Sequence, residues 1–248
     1  MFYFDEIFGK KVLKSDLLKN VEHFFTTRES VIKTKDIEFE DLVLENKKII
    51  CDYLNIPLNN LITPSQTHTN NVEIVEKTKT SYPNTDGLIL NNFEDAIFLN
   101  FADCTPLVFY DKRLNIGTVS HAGWRGTAGK IGPVTVEKMI KEFGSNPSDI
   151  QALIGPAISM CCYNVGDEVL DKLRATVNDF SGLSEVRDGE IFVDLKNINR
   201  QQLIEIGVKE IDVCPYCTVC DNDMFFSYRK ENATTNRHSA VLKLIKNS

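Results

Sequence analysis

Two histidines and one cysteine occupy positions where their side chains could do chemistry. His68 lies in a polar segment with turn-forming neighbours, and His121 ends a β-rich run and opens a glycine-rich segment. Cys104 lies where one β-rich run stops and the next begins. One thiolate and two imidazoles could supply the three ligands with which a catalytic zinc site keeps its fourth position open. Their spacing matches no local zinc motif, so the residues alone make this trio only a candidate metal site.

The same atoms allow other interpretations. Cys104 with His121 as its base would be the nucleophile pair of a cysteine hydrolase. The non-functional alternative for Cys104 is a buried structural thiol. The non-functional alternative for His68 is a solvated loop histidine. Metal content discriminates between a metal enzyme and a cysteine hydrolase.

Three further cysteines, Cys214, Cys217 and Cys220, have the spacing of a zinc knuckle. Structural zinc needs four ligands, and the nearest histidine, His238, lies outside the usual spacing. Buried thiols or an adventitious metal site are therefore favoured, and a non-enzymatic, thiol-rich metal-binding or interaction module is the alternative. The adjacent pair Cys161-Cys162 is interpreted as packing residues, because neighbouring cysteines do not readily form an ordinary disulfide.

Two arginines are candidates for anion binding. Arg125 lies in the glycine-rich connection after His121, where exposed N–H groups and a helix N-terminus suit phosphate. Arg229 follows an aromatic run, and its guanidinium could form paired hydrogen bonds with phosphate or carboxylate. The alternative for Arg229 is the charged outer end of an edge strand.

Short strands and amphipathic helices must position these side chains. The β-rich runs predict strands over residues 72–75, 87–90, 96–101, 107–110 and 116–120. Helices are predicted over residues 41–55, from Pro133 to the residue before Gly144, after Gly166, and from an Asp194 cap to Gly207. The order lacks a regular βαβ rhythm, and neither GxGxxG nor GxxxxGK[ST] is present. Dinucleotide-binding and P-loop functions therefore lose their main support.

The composition predicts a soluble globular protein with free thiols, in the cytoplasm. The 248 residues are 42% hydrophobic and 25% charged and contain no repeat or linker, which predicts one domain over residues 1–248. The net charge of −7 has the wrong sign for non-specific binding to nucleic acid. No apolar run is long enough to span a membrane, and the first residues do not resemble a secretion signal. An odd number of cysteines, seven, argues against a disulfide framework.

Several segments resemble, in order and spacing, the motifs of the YfiH/laccase-domain family over about residues 25–237. These segments are Gln66-Thr67-His68, Asp86-Gly87-Leu88, Ala102-Asp103-Cys104-Thr105-Pro106, His121-Ala122-Gly123-Trp124-Arg125-Gly126, Gly155-Pro156-Ala157-Ile158, Cys162-Tyr163-Asn164-Val165-Gly166, Asn199-Arg200-Gln201-Gln202-Leu203, Cys217-Thr218-Val219-Cys220 and Phe225-Phe226-Ser227-Tyr228-Arg229. The HAGWRG segment is highly specific. The resemblance implies a single α+β domain, a YfiH-like four-layer α/β/β/α sandwich with mixed sheets, as a monomer or homodimer.

The resemblance also implies a function. The family was first described as multicopper polyphenol oxidases and later as purine nucleoside enzymes. We therefore expect phosphorolysis of adenosine, inosine and S-methyl-5′-thioadenosine and deamination of adenosine, with purine nucleosides and phosphate as small-molecule partners. The family's metal ligands correspond to His68, Cys104 and His121, and Zn²⁺ is the expected metal. Copper-dependent phenol oxidation is the alternative, because the same donors bind Cu²⁺, but four histidines are few for several coppers.

Further roles are assigned on this basis. Asp103, next to Cys104, is a candidate proton shuttle or a residue that holds the ligand in place, although alternation along a strand could also turn its side chain away. Arg28, Arg125 and Arg229 are candidate phosphate ligands.

The chain departs from the usual family pattern at three places. Glu29-Ser30 stands where glycines are usual, Thr69 where glycine is common, and Asn164 where glutamate is frequent. These changes are expected to alter the rim of the pocket and the substrate preference, but none removes a metal ligand.

Overall fold

The computed structural model describes residues 1–246, which form fifteen β-strands and five α-helices. The strands are β1 (Phe2–Ile7), β2 (Lys10–Ser15), β3 (Val21–Thr26), β4 (Leu61–Ile62), β5 (Val72–Ile74), β6 (Gly87–Leu90), β7 (Ala96–Phe101), β8 (Thr105–Asp111), β9 (Ile116–Ala122), β10 (Ile150–Ile154), β11 (Asn164–Val165), β12 (Ser184–Arg187), β13 (Glu190–Val193), β14 (Glu210–Val213) and β15 (His238–Leu244). The helices are α1 (Glu40–Leu54), α2 (Trp124–Ala128), α3 (Ile131–Phe143), α4 (Asp167–Arg174) and α5 (Leu195–Glu205).

Two six-stranded sheets and one three-stranded sheet organise the chain. The first sheet has the order β1-β2-β3-β15-β7-β4, and the second has the order β14-β10-β8-β9-β6-β5. Most neighbours are antiparallel, but β4 pairs with β7, β5 with β6, and β10 with β14 in parallel. Both large sheets are therefore mixed, as predicted. The small sheet has the order β11-β13-β12.

The central core lies between the two large sheets. Phe25, Leu99 and Leu242 of the first sheet share one hydrophobic cluster with Leu88 and Val108 of the second. These side chains are almost completely buried. Burial of a large apolar side chain contributes about 1.5–3 kcal/mol relative to its exposed state, so this layer holds the two sheets together.

Helices cover the outer faces of both large sheets. Ile50 and Leu54 of α1 pack with Phe98 on the outer face of the first sheet. On the second sheet, Met139 of α3 and Leu203 of α5 belong to one cluster with strand residues of β8, β9 and β10. The resulting order of layers is α/β/β/α, which confirms the predicted four-layer sandwich.

The predicted elements are all present, with small shifts at their ends. β6 and β7 have the predicted bounds, and β8 and β9 extend beyond theirs to reach Thr105 and Ala122. The helix α3 begins at Ile131, two residues before the predicted start. Pro133 is still in its first turn, where the missing N–H has no intrahelical acceptor to lose. No helix among residues 1–246 is sufficiently long and apolar to span a bilayer.

His238, at the start of β15, belongs to the core. Its fully buried ring lies 5.4 Å from the ring of Phe225 and 6.5 Å from that of Phe101, measured between centroids. Burial, together with the positive charge of Arg237, lowers the pKa of His238 to about 3. His238 is therefore neutral in the folded protein at neutral pH.

The low pKa predicts a loss of stability in acid that His238→Phe should reduce. The unfolded chain takes up the His238 proton near pH 6.5, whereas the folded protein does not, so stability is intact above pH 6.5 and falls toward pH 3. The loss is about 1.4 kcal/mol per pH unit, or about 2 kcal/mol between pH 6.5 and 5. Urea unfolding at both pH values measures it. His23, whose pKa burial also lowers, keeps a part of the effect, and an unchanged pH dependence in His238→Phe would contradict the prediction.

Candidate active site

The three predicted ligands come from separate elements and converge. His68 lies in the loop between β4 and β5, Cys104 in the turn between β7 and β8, and His121 is the next-to-last residue of β9. One ring nitrogen of each histidine and the Cys104 Sγ lie within 4.8 Å of one another. His121 is buried, Cys104 is partly buried, and His68 faces solvent. The cluster therefore lies at the boundary between core and surface.

Unusual backbone conformations allow this approach. His68 and Asp103 have φ angles of 65° and 80°, in the left-handed region, where His and Asp are among the more tolerated residues. Gly123 follows β9, and a Cβ at this position would lie 2.9 Å from the Cys104 Sγ and 3.1 Å from the His68 Cδ2. A side chain at residue 123 would thus displace the Cys104 Sγ, whereas glycine lets the backbone pass beside the ligand cluster.

The carboxylate of Asp86 organises two of the three ligands. It is completely buried, directly before β6, and accepts a hydrogen bond from His121 Nδ1 at 2.8 Å. It also accepts the backbone N–H groups of Thr67, His68 and Thr69, at 3.2, 3.0 and 2.7 Å, and the Thr69 hydroxyl at 2.8 Å. Asp86 therefore shapes the His68 loop and leaves His121 Nε2 free to face the other ligands.

The electrostatics of the cluster favour charged side chains. Burial alone would raise the pKa of Asp86, but the hydrogen bonds from His121 and Thr69 hold it well below its usual range. Burial would also raise the pKa of the Cys104 thiol, but the two neighbouring imidazoles lower it to about 6. Cys104 and Asp86 together raise the pKa of His121 to about 9, against the opposing effect of burial. Cys104 thus favours the thiolate, which is the form that binds metals.

The donor set fits a metal ion with an open position. One sulfur and two imidazole nitrogens from rigid parts of the fold face a cavity, as in catalytic sites with three protein ligands. Zinc and copper both accept these donors. Binding would require His121 to lose its extra proton, so metal uptake should release protons.

The cavity above the cluster is strongly cationic. It has a volume of about 470 Å³, within the range of small-molecule sites. Its cationic lining residues are Lys33, Arg125, Arg229 and Arg237. Among the described residues that line it, Asp103 is the only carboxylate. An anion is therefore attracted to this cavity although the whole chain carries a net charge of −7.

Asp103 braces the turn that carries Cys104. Its Oδ1 accepts a hydrogen bond from the Thr218 hydroxyl at 2.6 Å, and its Oδ2 accepts one from the backbone N–H of Arg229 at 2.7 Å. Both oxygens are thus engaged with protein groups. This geometry favours the positioning role among the two roles that the sequence left open.

Arg28 does not line the cavity. Its guanidinium donates to the Asn222 carbonyl at 2.6 Å and to Glu231 at 3.1 Å, and it lies over the ring of Phe226. These contacts hold the aromatic run and the residues on both sides of it. The structure therefore does not bring Arg28 together with Arg125 and Arg229, with which the sequence grouped it.

Sequence reasoning singled out several residues of the cavity neither as catalytic nor as binding residues, although it allowed that an aromatic of the run with Tyr228 could stack on a base. Tyr163 and Tyr228 supply aromatic rings, and Arg237 supplies a further cation. Gln66 forms a two-point clamp on β7: its side chain accepts the Asn100 N–H at 2.9 Å and donates to the Asn100 carbonyl at 2.8 Å. The only signal for these residues was their presence in or beside motif segments.

A larger cavity, of about 850 Å³, lies beside residues 58–63 and 76–82. Among the described residues of its lining there is neither a histidine nor a cysteine, and it lies outside the ligand cluster. We therefore place the candidate chemistry in the smaller, cationic cavity.

Comparison with known proteins identifies the family. The family described as "Multi-copper polyphenol oxidoreductase laccase" matches residues 23–245. The chain belongs to this family. Among curated members, it is 36% identical over 207 residues to "Purine nucleoside phosphorylase YlmD" of Bacillus subtilis, covering 79% of this chain and 74% of that relative. It is 31% identical over 244 residues to "Adenosine deaminase RL5" from an unknown prokaryotic organism, covering 89% and 92%.

Solved structures of the family share the whole fold. The crystal structure of YlmD from Geobacillus stearothermophilus superposes with a TM-score of 0.89 at 30% identity, over 98% of this chain and 99% of that one. The Bacillus licheniformis protein YfiH gives the same TM-score at 31% identity, with the same coverage. The resemblance noted from the motifs is thus confirmed for the family and for the fold.

Proposed function

We propose that this protein is a zinc-dependent purine nucleoside enzyme. It would catalyse phosphorolysis of adenosine, inosine and S-methyl-5′-thioadenosine and deamination of adenosine. The observation that carries the proposal is the cluster of His68, Cys104 and His121 at a cavity lined by cations and tyrosines. The names of the curated relatives, a purine nucleoside phosphorylase and an adenosine deaminase, support the same substrate class.

The cations would hold phosphate. In phosphorolysis a phosphate oxygen bonds to C1′ while the C1′–N9 bond breaks, and the departing purine takes up a proton. Arg125 and Arg237 line the cavity with guanidinium groups that can form paired hydrogen bonds with phosphate. Arg229 already bonds Asn164 through its side chain, and its backbone N–H holds Asp103. It would therefore contribute charge from a fixed position.

The tyrosines would hold the purine. Tyr163 and Tyr228 line the same cavity, together with the apolar side chain of Ile158. An aromatic ring can stack on a purine without specifying its substituents, which suits a site that accepts adenosine and inosine alike. Arg229 lies 5.5 Å from the centroid of Tyr163 and so limits the positions of that ring.

The ligand trio would hold zinc, with Asp86 fixing His121. Bound there, zinc supplies a Lewis acid that polarises a substrate atom and makes water more acidic. Asp86 accepts a hydrogen bond from His121 Nδ1–H. This bond fixes the orientation of the imidazole and its tautomer. Asp103 would keep Cys104 in place through its bonds to Thr218 and Arg229.

Histidine positions argue against a multicopper constellation. All four histidines lie in the described part of the chain. His23 is buried, and its ring nitrogens face the Ser15 N–H and the Val21 carbonyl. His238 belongs to the core, so only two histidines reach the cavity. Copper-dependent phenol oxidation by several coppers would need more imidazoles than these.

All seven cysteines are free in residues 1–246. Free thiols, four of them not buried, suit a reducing compartment. We accordingly propose that the enzyme acts in the cytoplasm, as a monomer or homodimer.

Chromatography of reaction products tests the function. The purified protein is incubated with adenosine, with and without phosphate, and its zinc and copper contents are measured. Phosphate-dependent adenine supports phosphorolysis, and phosphate-independent inosine supports deamination. If a folded, zinc-loaded sample yields neither, the proposal fails. A copper-loaded sample that oxidises phenols, or a metal-free one that hydrolyses amides through Cys104, would assign the alternatives.

Arg125→Ala tests the phosphate site. Loss of a charged hydrogen bond costs about 1.5–3 kcal/mol, so we expect the KM for phosphate to rise about tenfold to a hundredfold. Deamination of adenosine, which consumes no phosphate, should change less. Arg28→Ala removes the same charge outside the cavity and is the matched control. An equal loss of both reactions in Arg125→Ala would assign the residue a general structural role instead.

A further inference from the structure

Four cysteines outside the candidate active site form a second cluster. Cys161 and Cys162 lie between β10 and β11, and Cys217 and Cys220 lie between β14 and β15. Their four Sγ atoms lie within 4.8 Å of one another. The interpretation of the adjacent pair as packing residues is wrong for Cys161, which is exposed. Two loops distant in sequence thus bring four thiols together, of which Cys217 is buried and Cys161 and Cys220 are exposed.

We infer that Cys161, Cys162, Cys217 and Cys220 form a structural zinc site. Tetrahedral zinc with Zn–S bonds of about 2.3 Å places its sulfurs about 3.8 Å apart. The Cys220 Sγ lies 3.6 Å from that of Cys161 and 3.5 Å from that of Cys162. A disulfide would require about 2.05 Å. Four sulfur donors leave no open position, so the site holds its ion without catalysis.

The loop of Cys217 is already shaped for a metal thiolate. The Cys217 N–H donates to the Asp221 carboxylate at 2.8 Å, and the Asp221 N–H donates to the Cys217 carbonyl at 2.7 Å. The backbone N–H of Ser159 points at the Cys217 Sγ, 3.4 Å away. Hydrogen bonds from N–H groups stabilise a thiolate over a thiol. The contact between Ser159 and Cys217 also joins the two loops directly.

Three cationic side chains bond to backbone carbonyls beside the thiol cluster. Arg187 donates to the Met160 carbonyl at 2.7 Å, and Lys230 donates to the Val219 carbonyl at 2.9 Å. Arg229 approaches the Cys162 carbonyl at 3.5 Å. Each of these carbonyls belongs to a cysteine of the cluster or to its neighbour in sequence. Four thiolates around a divalent ion carry net negative charge, which these side chains reduce.

The site joins loops that build the wall of the cavity. Tyr163 follows Cys162 directly, and Thr218, which holds Asp103, lies between Cys217 and Cys220. A zinc ion shared by both loops would therefore fix the part of the cavity wall that includes Tyr163. The inference does not depend on the proposed function, because it concerns only the binding of the ion and the stability of the loops.

Cys214 provides a matched control. It belongs to the same run in sequence, but its side chain is fully buried in the central core. Burial raises its pKa to about 12, and Lys196 donates to its backbone carbonyl at 2.8 Å. Cys214 is therefore a core thiol, separate from the cluster. The zinc-knuckle spacing of Cys214, Cys217 and Cys220 suggested that all three could bind one ion, but only Cys217 and Cys220 belong to the cluster.

Metal content and thiol protection test the inference. The wild-type protein, purified without chelator, should contain a zinc ion that Cys161→Ser/Cys220→Ser loses. Cys104→Ala and Cys214→Ala should both keep this ion, whatever metal the candidate active site holds. Substitution with Co²⁺ should give a strong thiolate-to-metal charge-transfer band that Cys104→Ala retains and the double variant largely loses.

A measurement on the wild-type protein alone tests the same inference without any variant that could fail to fold. Native alkylation with iodoacetamide, mapped by mass spectrometry, should spare Cys161 and Cys220 in the zinc-loaded protein and label both after chelation. One zinc per chain with immediate labelling of these exposed thiols would overturn the inference. A disulfide between Cys220 and either Cys161 or Cys162 in the freshly isolated protein would also overturn it. Inactivity toward nucleosides would leave the test unaffected.

Discussion

Cys104→Ala is expected to lose the active-site metal and at least about 10³-fold in kcat/KM. The substitution removes the thiolate and leaves two imidazoles, of which only His121 is held by a buried carboxylate. Metal catalysis contributes several kcal/mol to transition-state stabilisation, and each 1.4 kcal/mol is a factor of ten in rate. His68→Ala and His121→Ala should behave in the same way, because a catalytic site with three protein ligands does not tolerate the loss of one.

The measurement combines elemental analysis with turnover of adenosine. Cys51→Ala is the matched control, since it removes a buried thiol on the inner side of α1, outside the lining of the cavity. Circular dichroism and thermal unfolding establish that each variant is folded. Full activity in any one ligand variant would exclude that residue from the mechanism. Loss of activity with full metal content in Cys104→Ala would instead favour a thiol nucleophile.

The elements around the site were predictable because their signals are local. β6, β7, β8 and β9 are short apolar runs bounded by turn residues, and every residue of these strands is buried. α5 begins after Asp194, whose side chain accepts the Asn197 N–H, as the capping pattern predicts. By contrast, β1 is mostly exposed and lacks the alternation of a half-buried strand, so sequence gave no signal for it.

Convergence of distant residues was not predictable from local patterns. Donor chemistry and the family resemblance proposed the ligand trio, but the spacing along the chain said nothing about distances in space. Asp86 was part of a motif segment and received no role, because a buried carboxylate has no periodic signal in sequence. For the same reason, the sequence patterns placed the members of the thiol cluster in two unrelated features, the adjacent pair Cys161-Cys162 and the run that contains Cys217 and Cys220. These two parts meet only in the fold, through the loops after β10 and β14.

Two of the departures from the family pattern have a structural place beside the site. The hydroxyl of Thr69 adds a hydrogen bond to Asp86, which a glycine could not supply. Asn164 accepts a hydrogen bond from Arg229 through its neutral amide. A glutamate there would neutralise the guanidinium, so asparagine leaves the full positive charge of Arg229 at the cavity. We expect this change to favour anionic ligands.

The second large effect is expected at Asp86, which lies outside the lining of the cavity. Asp86→Ala removes the acceptor of five hydrogen bonds, from His121, from Thr69 twice, and from the backbone of Thr67 and His68. Loss of one partner in a buried charged network costs about 3–5 kcal/mol. Loss of a residue that orients a metal ligand weakens metal affinity about tenfold to a hundredfold. Urea unfolding and zinc competition titration measure the two effects separately.

Asp86→Asn separates charge from shape. The amide oxygen of asparagine can accept the hydrogen bond from His121. The amide NH₂ group then faces the N–H donors of the His68 loop, with which it cannot bond. Part of the network is therefore lost in either orientation of the amide. The pKa of Asp86 is lower in the folded protein than in the unfolded chain, where it is near 3.8. The ionised carboxylate therefore stabilises the fold fully above pH 3.8, and this stabilisation is lost as the pH falls below that value. Asp86→Asn should therefore be less stable than wild type at pH 7, and the gap should narrow toward pH 3. A gap independent of pH would show that the shape of the side chain, rather than its charge, holds the loop. If both variants kept wild-type zinc affinity, Asp86 would have no role in orienting His121, and burial of the ring alone would have to explain its position.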